Sequence, residues 1–192
     1  MQKLNLPNKL TLIRMFLAPI YLALMLIEFP CHYIVALAVF AVASLTDMLD
    51  GKIARKNNLI TVFGKLLDPL ADKMLTAALL AFMREGWCSI WIVMIVLTRE
   101  FAVAGVRLIA TAQGIVIPAN YWGKAKTVSQ MVFTIVIMLL AELNATFDIF
   151  ANAGWFTLAR VSNIMLWITA VLTVVSGITY FVDSKKLIDF SK

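Results

Sequence analysis

The sequence predicts an all-α integral membrane protein. It should be a six-transmembrane-helix bundle with a short N-terminal interfacial segment and both termini in the cytoplasm. Three observations predict this. Of 192 residues, 62% are hydrophobic and 15% are charged, where a soluble domain is about half apolar and about a quarter charged. Six hydrophobic segments follow one another, each long enough to cross a hydrocarbon core of about 30 Å at about 1.5 Å per residue. Lysine and arginine fall on alternate sides of those segments. Residues 1–192 read as one domain, with no internal repeat and no low-complexity stretch.

Residues 1–6 are short, amphipathic and basic, suited to lying at the interface. Pro7 and Asn8 then open a helix, with Asn8 as its N-cap. The segments run over 9–28, 33–56, 61–83, 89–112, 121–143 and 157–182. Short turn-like loops separate them at 29–32, 57–58, 85–86, 114–120 and 144–154. The first segment is a retained helix rather than a cleaved leader. Arg14 and Pro19 interrupt its apolar run, and no small-x-small cleavage site follows before Pro30.

Lys3, Lys9 and Arg14 open the chain, and Lys52, Arg55, Lys56 and Lys65 surround the second loop. Arg107, Lys124 and Lys126 surround the fourth, and Lys185, Lys186 and Lys192 close the chain. The opposite side carries Arg84 and Arg160 among Glu28, Glu85, Glu142 and Asp148. The positive-inside rule puts the termini and the even-numbered loops in the cytoplasm. In this apolar background the net charge of +6 speaks for anionic lipid rather than nucleic acid. Cys31 and Cys88 form no disulfide framework; both fall in loops on the same side, which allows a disulfide between them, and unpaired thiols are the simpler reading. His32 reads as an interfacial loop residue. Trp87, Trp91, Trp122 and Trp155 fall near helix ends, as interfacial anchors do.

The chemistry concentrates between Asp47 and Asp72. Four of the eleven acidic residues lie within these 26 positions, and acids inside an apolar bundle are costly and mark function. Asp47 and Asp50 are three apart near the cytoplasmic end of the second helix. Asp68 and Asp72 are four apart early in the third. Each pair shares a helical face. The helices reverse near Leu59, and Asp50 and Asp68 are each nine positions from it. Asp47 and Asp72 are twelve and thirteen away. The hairpin therefore brings four carboxylates to one pocket. They cannot all remain ionised without cations, and oxygen donors suit Mg²⁺ or Mn²⁺, with two ions balancing four charges. Two such ions serve in-line displacement at phosphorus. Ala54 and Gly64, each five from the turn, let the two backbones approach. Gly51 leaves space beside the acids, and Arg55 is set to grip a phosphate oxygen.

The run Asp47-x₂-Asp50-Gly51-x₂-Ala54-Arg55-x₈-Gly64-x₃-Asp68-x₃-Asp72 resembles the signature of the CDP-alcohol phosphatidyltransferases, and all eight of its positions match. The resemblance implies six membrane helices, a homodimer, and transfer of a phosphatidyl group from CDP-diacylglycerol to an alcohol with release of CMP. It also implies residue roles. Asp47, Asp50, Asp68 and Asp72 would hold the metal ions, and Asp72 would act as general base. Gly51, Ala54, Arg55 and Gly64 would form the donor site.

The acceptor is a separate matter. Pro7 to Arg14, Thr98-Arg99-Glu100, Arg107 and Gly123-Lys124-Ala125-Lys126-Thr127 resemble bacterial members that use glycerol 3-phosphate and make phosphatidylglycerophosphate for phospholipid biosynthesis. The site would then face the cytoplasm of a bacterial cell membrane. Arg107, Lys124 and Lys126 would neutralise the acceptor phosphate. Positive-inside anchoring accounts for the two lysines equally well, and snorkelling for Arg107. Arg99 and Glu100 lie mid-helix and about 100° apart. They should not bridge each other, and instead call for inward-facing partners or a dimer contact. Arg14 fits either lipid phosphate or the nucleotide pocket. Inositol phosphate, serine and phosphatidylglycerol are rival acceptors within the family. A divalent-cation or proton-coupled transporter would use the same acids, but it leaves the spacing of Gly51, Ala54, Arg55 and Gly64 unexplained.

Overall fold

The computed structural model describes residues 6–56, 74–113, 115, 120–151 and 154–185, with backbone alone for 6–11, 47–56, 74 and 112. The described residues form six helices and no strand. They are α1 (Leu6–Leu26), α2 (His32–Lys56), α3 (Met74–Arg84), α4 (Ile90–Ala112), α5 (Tyr121–Phe147) and α6 (Leu158–Lys185). The chain divides into two compact units. One contains α1, α2, most of α3 and the C-terminal half of α5. The other contains α4, the N-terminal half of α5, and α6.

In the first unit α1 packs along α2. The buried positions of α2 are Ala36, Phe40 and Ala43, spaced four and three apart on one face. Small residues on either side of Phe40 let α1 come close. Tyr21 meets Phe40 with ring centroids 6.0 Å apart, and its hydroxyl donates to Met138 Sδ at 3.6 Å. The reversal between α1 and α2 turns at Cys31, with φ of 62°. His32 belongs to this turn and donates from Nδ1 to the Phe29 carbonyl at 3.0 Å. Arg14 is buried on α1.

In the second unit, the exit from α3 shows how the local sequence ends a helix. Gly86 takes the left-handed conformation (φ 74°) that glycine adopts without strain. Trp87 N then donates to Phe82 O at 2.8 Å, and Gly86 N to Met83 O at 3.2 Å. This is a Schellman closure with the hydrophobic contact that accompanies it, since the Phe82 and Trp87 rings lie 5.8 Å apart. Trp87 is therefore buried and is not an interfacial anchor. Trp91, Trp122 and Trp155 are exposed. Ser89 caps α4 by accepting from Trp91 N.

Helix ends depart from the expected ones in three places. Helix α1 begins at Leu6, so Asn8 lies within the first turn instead of capping it. Pro7 is tolerated there because early helical N–H groups lack partners in any case. Helix α5 continues to Phe147, past the expected end at 143. Asn144 reads as a helix stop, yet it serves inside the last turn: its carbonyl accepts from Asp148 N at 3.0 Å and its Oδ1 from Phe150 N at 3.1 Å. Glu142 is consequently a buried residue of α5, not a charge at its end. Helix α6 runs three residues beyond the expected 182.

The burial pattern of α6 is inverted relative to a soluble helix. Its buried face is mostly small or hydroxyl, with Ser162, Thr169, Ala170, Thr173, Ser176, Gly177 and Ser184 beside Leu158, Leu166 and Tyr180. Its exposed face carries Ile164, Trp167, Ile168, Val171, Val174 and Ile178. Small and hydroxyl residues inside with bulky apolar ones outside is how helices pack when lipid is the solvent. Two of the buried hydroxyls bond back within the helix: Thr173 Oγ1 donates to Thr169 O and Ser184 Oγ to Tyr180 O, both at 2.7 Å. Helices α5 and α6 are long and apolar enough to cross a membrane. Their 27 and 28 residues span about 40 Å at 1.5 Å per residue. The all-helical architecture with two such helices is consistent with a membrane protein. Both cysteines are unpaired, Cys31 exposed and Cys88 buried.

Candidate functional site

The first half of the aspartate signature lies on α2, near its C-terminal end. Asp47, Asp50, Gly51, Ala54 and Arg55 all fall within the unbroken helix ending at Lys56. At about 100° per residue these five positions occupy an arc of about 140°. The helical backbone therefore presents them on one face. Their side chains, and the whole of Gly64, Asp68 and Asp72, lie outside the described residues. No other group of three or more His, Cys, Asp or Glu side chains suited to a metal occurs among the described residues.

The acceptor candidates Arg107, Lys124 and Lys126 lie in the second unit, where a polar network links α4, α5 and α6. Helix α4 carries three charges in an otherwise apolar run, and each has a partner on another helix. Arg99 points to α6, donating from Nη2 to Ser176 Oγ at 2.6 Å. Two glycines make room for it. A Cβ at Gly177 would stand 3.2 Å from Arg99 Cγ, and one at Gly123 would stand 3.5 Å from Arg99 Nη2. Glu100 turns the other way and binds Lys126 of α5 at 2.8 Å. Arg99 and Glu100 thus have separate inward partners, as their angular separation requires. Arg107, one turn from the end of α4, donates from Nε to Tyr180 Oη at 3.4 Å. Its guanidinium also lies over the Tyr180 ring, 5.7 Å from the centroid.

The three candidate acceptor residues differ in setting. Arg107 is exposed while its partner Tyr180 is buried. Lys124 is exposed on the first turn of α5. Lys126 is 2% exposed, and its ion pair with Glu100 is withdrawn from solvent. The start of α5 is fixed by Asn120, whose Oδ1 accepts from Gly123 N at 2.9 Å as an N-cap. Its Nδ2 donates to Thr179 of α6 at 2.7 Å. One side chain therefore both begins α5 and ties it to α6.

The α6 partners Ser176, Thr179 and Tyr180 are the residues that reading the sequence by motif misses. The signal was present as a polar stripe. Thr169, Thr173, Ser176 and Tyr180 recur every three or four residues in an apolar helix, which marks a face turned toward protein.

Residues 4–175 match the CDP-alcohol phosphatidyltransferase family. A CDP-diacylglycerol–glycerol-3-phosphate 3-phosphatidyltransferase of Bacillus subtilis is 40% identical over 190 residues, covering 92% of this chain and 93% of the relative. The protein of the same name from Rickettsia bellii is 35% identical over 183 residues, covering 95% and 96%. A probable phosphatidylglycerophosphate synthase of Mycobacterium tuberculosis is 40% identical over 132 residues, covering 67% and 63%. With its aspartate signature begun on one face of α2 and similarity running nearly end to end, this chain belongs to the CDP-alcohol phosphatidyltransferase family.

Proposed function

We propose that this protein transfers the phosphatidyl group of CDP-diacylglycerol to glycerol 3-phosphate, giving phosphatidylglycerophosphate and CMP. The observation that carries this reading is the 40% identity to a relative of that name across 92% of the chain. The apolar outer faces of α5 and α6 support a bacterial membrane location. Our reading is six spans, cytoplasmic termini, an active site open to the cytoplasm, and a homodimer.

The acid set fits a pair of Mg²⁺ or Mn²⁺ ions by the chemistry of its donors. Asp47 and Asp50 lie one turn apart on the helical backbone of α2, and Asp68 and Asp72 supply two further carboxylates. Hard oxygen ligands of this kind suit these cations. When bound, the ions would neutralise the pyrophosphate and the charge that develops on leaving CMP. Gly51, Ala54, Arg55 and Gly64 receive the donor, with Arg55 on a phosphate oxygen. Asp72 takes the proton of the C1 hydroxyl of glycerol 3-phosphate. The freed oxygen bonds to the phosphatidyl phosphorus, and the bond from that phosphorus to the CMP oxygen breaks. Arg107 and Lys124 neutralise the acceptor phosphate, joined by Lys126 through an ammonium that Glu100 already holds.

The test is an acceptor panel. Purified protein with CDP-diacylglycerol and Mg²⁺ or Mn²⁺ is offered glycerol 3-phosphate, inositol phosphate, serine and phosphatidylglycerol separately. CMP release with glycerol 3-phosphate alone is expected, and release with another acceptor in its place overturns the assignment. Asp72→Asn should abolish turnover while donor binding persists. Near-normal turnover in that variant removes Asp72 as the base.

A further inference from the structure

In the second unit, the start of α5 and the end of α6 frame an open groove of about 380 Å³. Its lining is ordered by chemistry. Ile178 and Val182 form an exposed apolar strip one turn apart on α6. Beside it runs a polar strip, Thr179 and Asp183, also one turn apart. Tyr121 and Trp122 form a corner, with ring centroids 6.2 Å apart and planes at 78°.

Most polar capacity in the groove is already committed. Asn120 gives Nδ2 to Thr179 and receives Gly123 N on Oδ1. Thr179 Oγ1 in turn reaches the carbonyls of Val175 and Ser176. The Asp183 carboxylate is different. It is exposed, lines the groove, and pairs with no cation among the described residues. The groups left to recognise a ligand are the Asp183 carboxylate and the Tyr121 and Trp122 side chains, each a ring with one polar group. Rings set at right angles beside a carboxylate favour an ammonium group, which is drawn to ring faces and to negative charge together. The apolar strip on the lipid-facing side of α6 favours a hydrocarbon chain attached to that ammonium.

We propose that this groove seats a membrane phospholipid with a primary ammonium headgroup, of the ethanolamine type. The ammonium lies on Asp183 and against Tyr121 and Trp122, and one acyl chain runs along Ile178 and Val182. A primary ammonium donates hydrogen bonds to the carboxylate, which a trimethylated one cannot do. None of its residues belongs to the aspartate signature. It also runs against the net charge of +6, which draws anionic lipids to the rest of the cytoplasmic face.

Full-length protein in nanodiscs of equal parts ethanolamine, choline and glycerol phospholipid, with lipids retained on release counted by native mass spectrometry, tests this. The ethanolamine lipid should be enriched about fivefold over either competitor, the ratio given by one hydrogen bond of about 1 kcal/mol to the Asp183 carboxylate. Asp183→Asn should bring retention to the bulk ratio, and Trp122→Leu should lower it several-fold. Asp183→Glu should keep it. CMP release by Asp183→Asn should match the unmodified chain, which shows that the variant is folded. Bulk-ratio retention by the unmodified chain, equal enrichment of choline lipid, or undiminished enrichment in Asp183→Asn each overturns the proposal. Should Asp183→Asn lose activity, Trp122→Leu and Asp183→Glu decide it, and loss of preference in Asp183→Glu overturns it.

Discussion

Lys126 stands between two roles, and one pair of substitutions separates them. Its ammonium lies 2.8 Å from Glu100, with the two side chains 2% and 15% exposed. At an effective dielectric of about 20, charges this close attract by about 6 kcal/mol. Desolvation of both ions removes most of that, so the pair contributes little compared with two apolar residues of the same size. Removing one partner is another matter. Lys126→Met takes from Glu100 its ion-pair partner at 2.8 Å, at a cost of up to about 3–5 kcal/mol. For a chain of this size that lowers the thermal midpoint by about 10 °C. Glu100→Met with Lys126→Met removes both charges and should restore the midpoint to within about 3 °C. Thermal unfolding in micelles reads the stability, and CMP release against glycerol 3-phosphate concentration reads the acceptor. If Lys126 also binds the acceptor phosphate, the double variant regains stability and keeps a raised KM for glycerol 3-phosphate. A purely structural Lys126 regains both. A single variant as stable as the unmodified chain refutes the buried pair, and a double variant no more stable than the single refutes the compensation.

Tyr180→Phe keeps the ring beneath Arg107 but deletes the hydroxyl at 3.4 Å. The KM for glycerol 3-phosphate should rise several-fold, the effect of about 1 kcal/mol, while that for CDP-diacylglycerol stays unchanged. Initial-rate kinetics in both substrates check this. Gly177→Ala should destabilise by about 1 kcal/mol as the new methyl meets Arg99 Cγ. Gly123→Ala should fall within about 0.5 kcal/mol of the unmodified chain, since its methyl finds ordinary contacts and alanine favours the helix. Denaturation midpoints compare the two. Burial pushes the Cys88 thiol up from 9.0 to about 12. Cys88 should therefore resist alkylation at pH 8–9, while exposed Cys31 reacts, as peptide mass mapping reads directly. The sign for stability follows. The unfolded thiol ionises near 9.0 and the folded one holds its proton to about 12, so stability falls as pH rises through that window.

Among the described residues, the helical kind of each element was legible because the segments are long and apolar and the breaks carry turn residues. Gly86 ended α3 as its position implies. The misread ends were those where a polar residue does unexpected work, as Asn144 does by holding the chain reversal from inside α5. The burial of Trp87 was equally hidden, since its contact with Phe82 depends on the Schellman geometry and not on distance from the helix end. In the site, the one-face grouping of Asp47, Asp50, Gly51, Ala54 and Arg55 follows from spacing on a single helix. The partners of Arg99, Glu100 and Arg107 do not. They lie on α5 and α6, and helix rotation selects them. Sequence spacing fixes rotation within one helix but not between two.

That rotation gives α4 its functional sense. Three charges on one apolar helix would each be costly without partners. Two of them are consumed inside the unit, Arg99 by Ser176 and Glu100 by Lys126. They tie α4 to α6 and to α5, and Asn120 completes the third side by tying α5 to α6. Arg107 is treated differently. Tyr180 takes its Nε and lies under its guanidinium. A guanidinium held this way keeps the bidentate geometry that matches phosphate oxygens. The buried pairs hold α4 in place, and Arg107, the one exposed arginine of the helix, is the residue that the proposed function assigns to the acceptor phosphate.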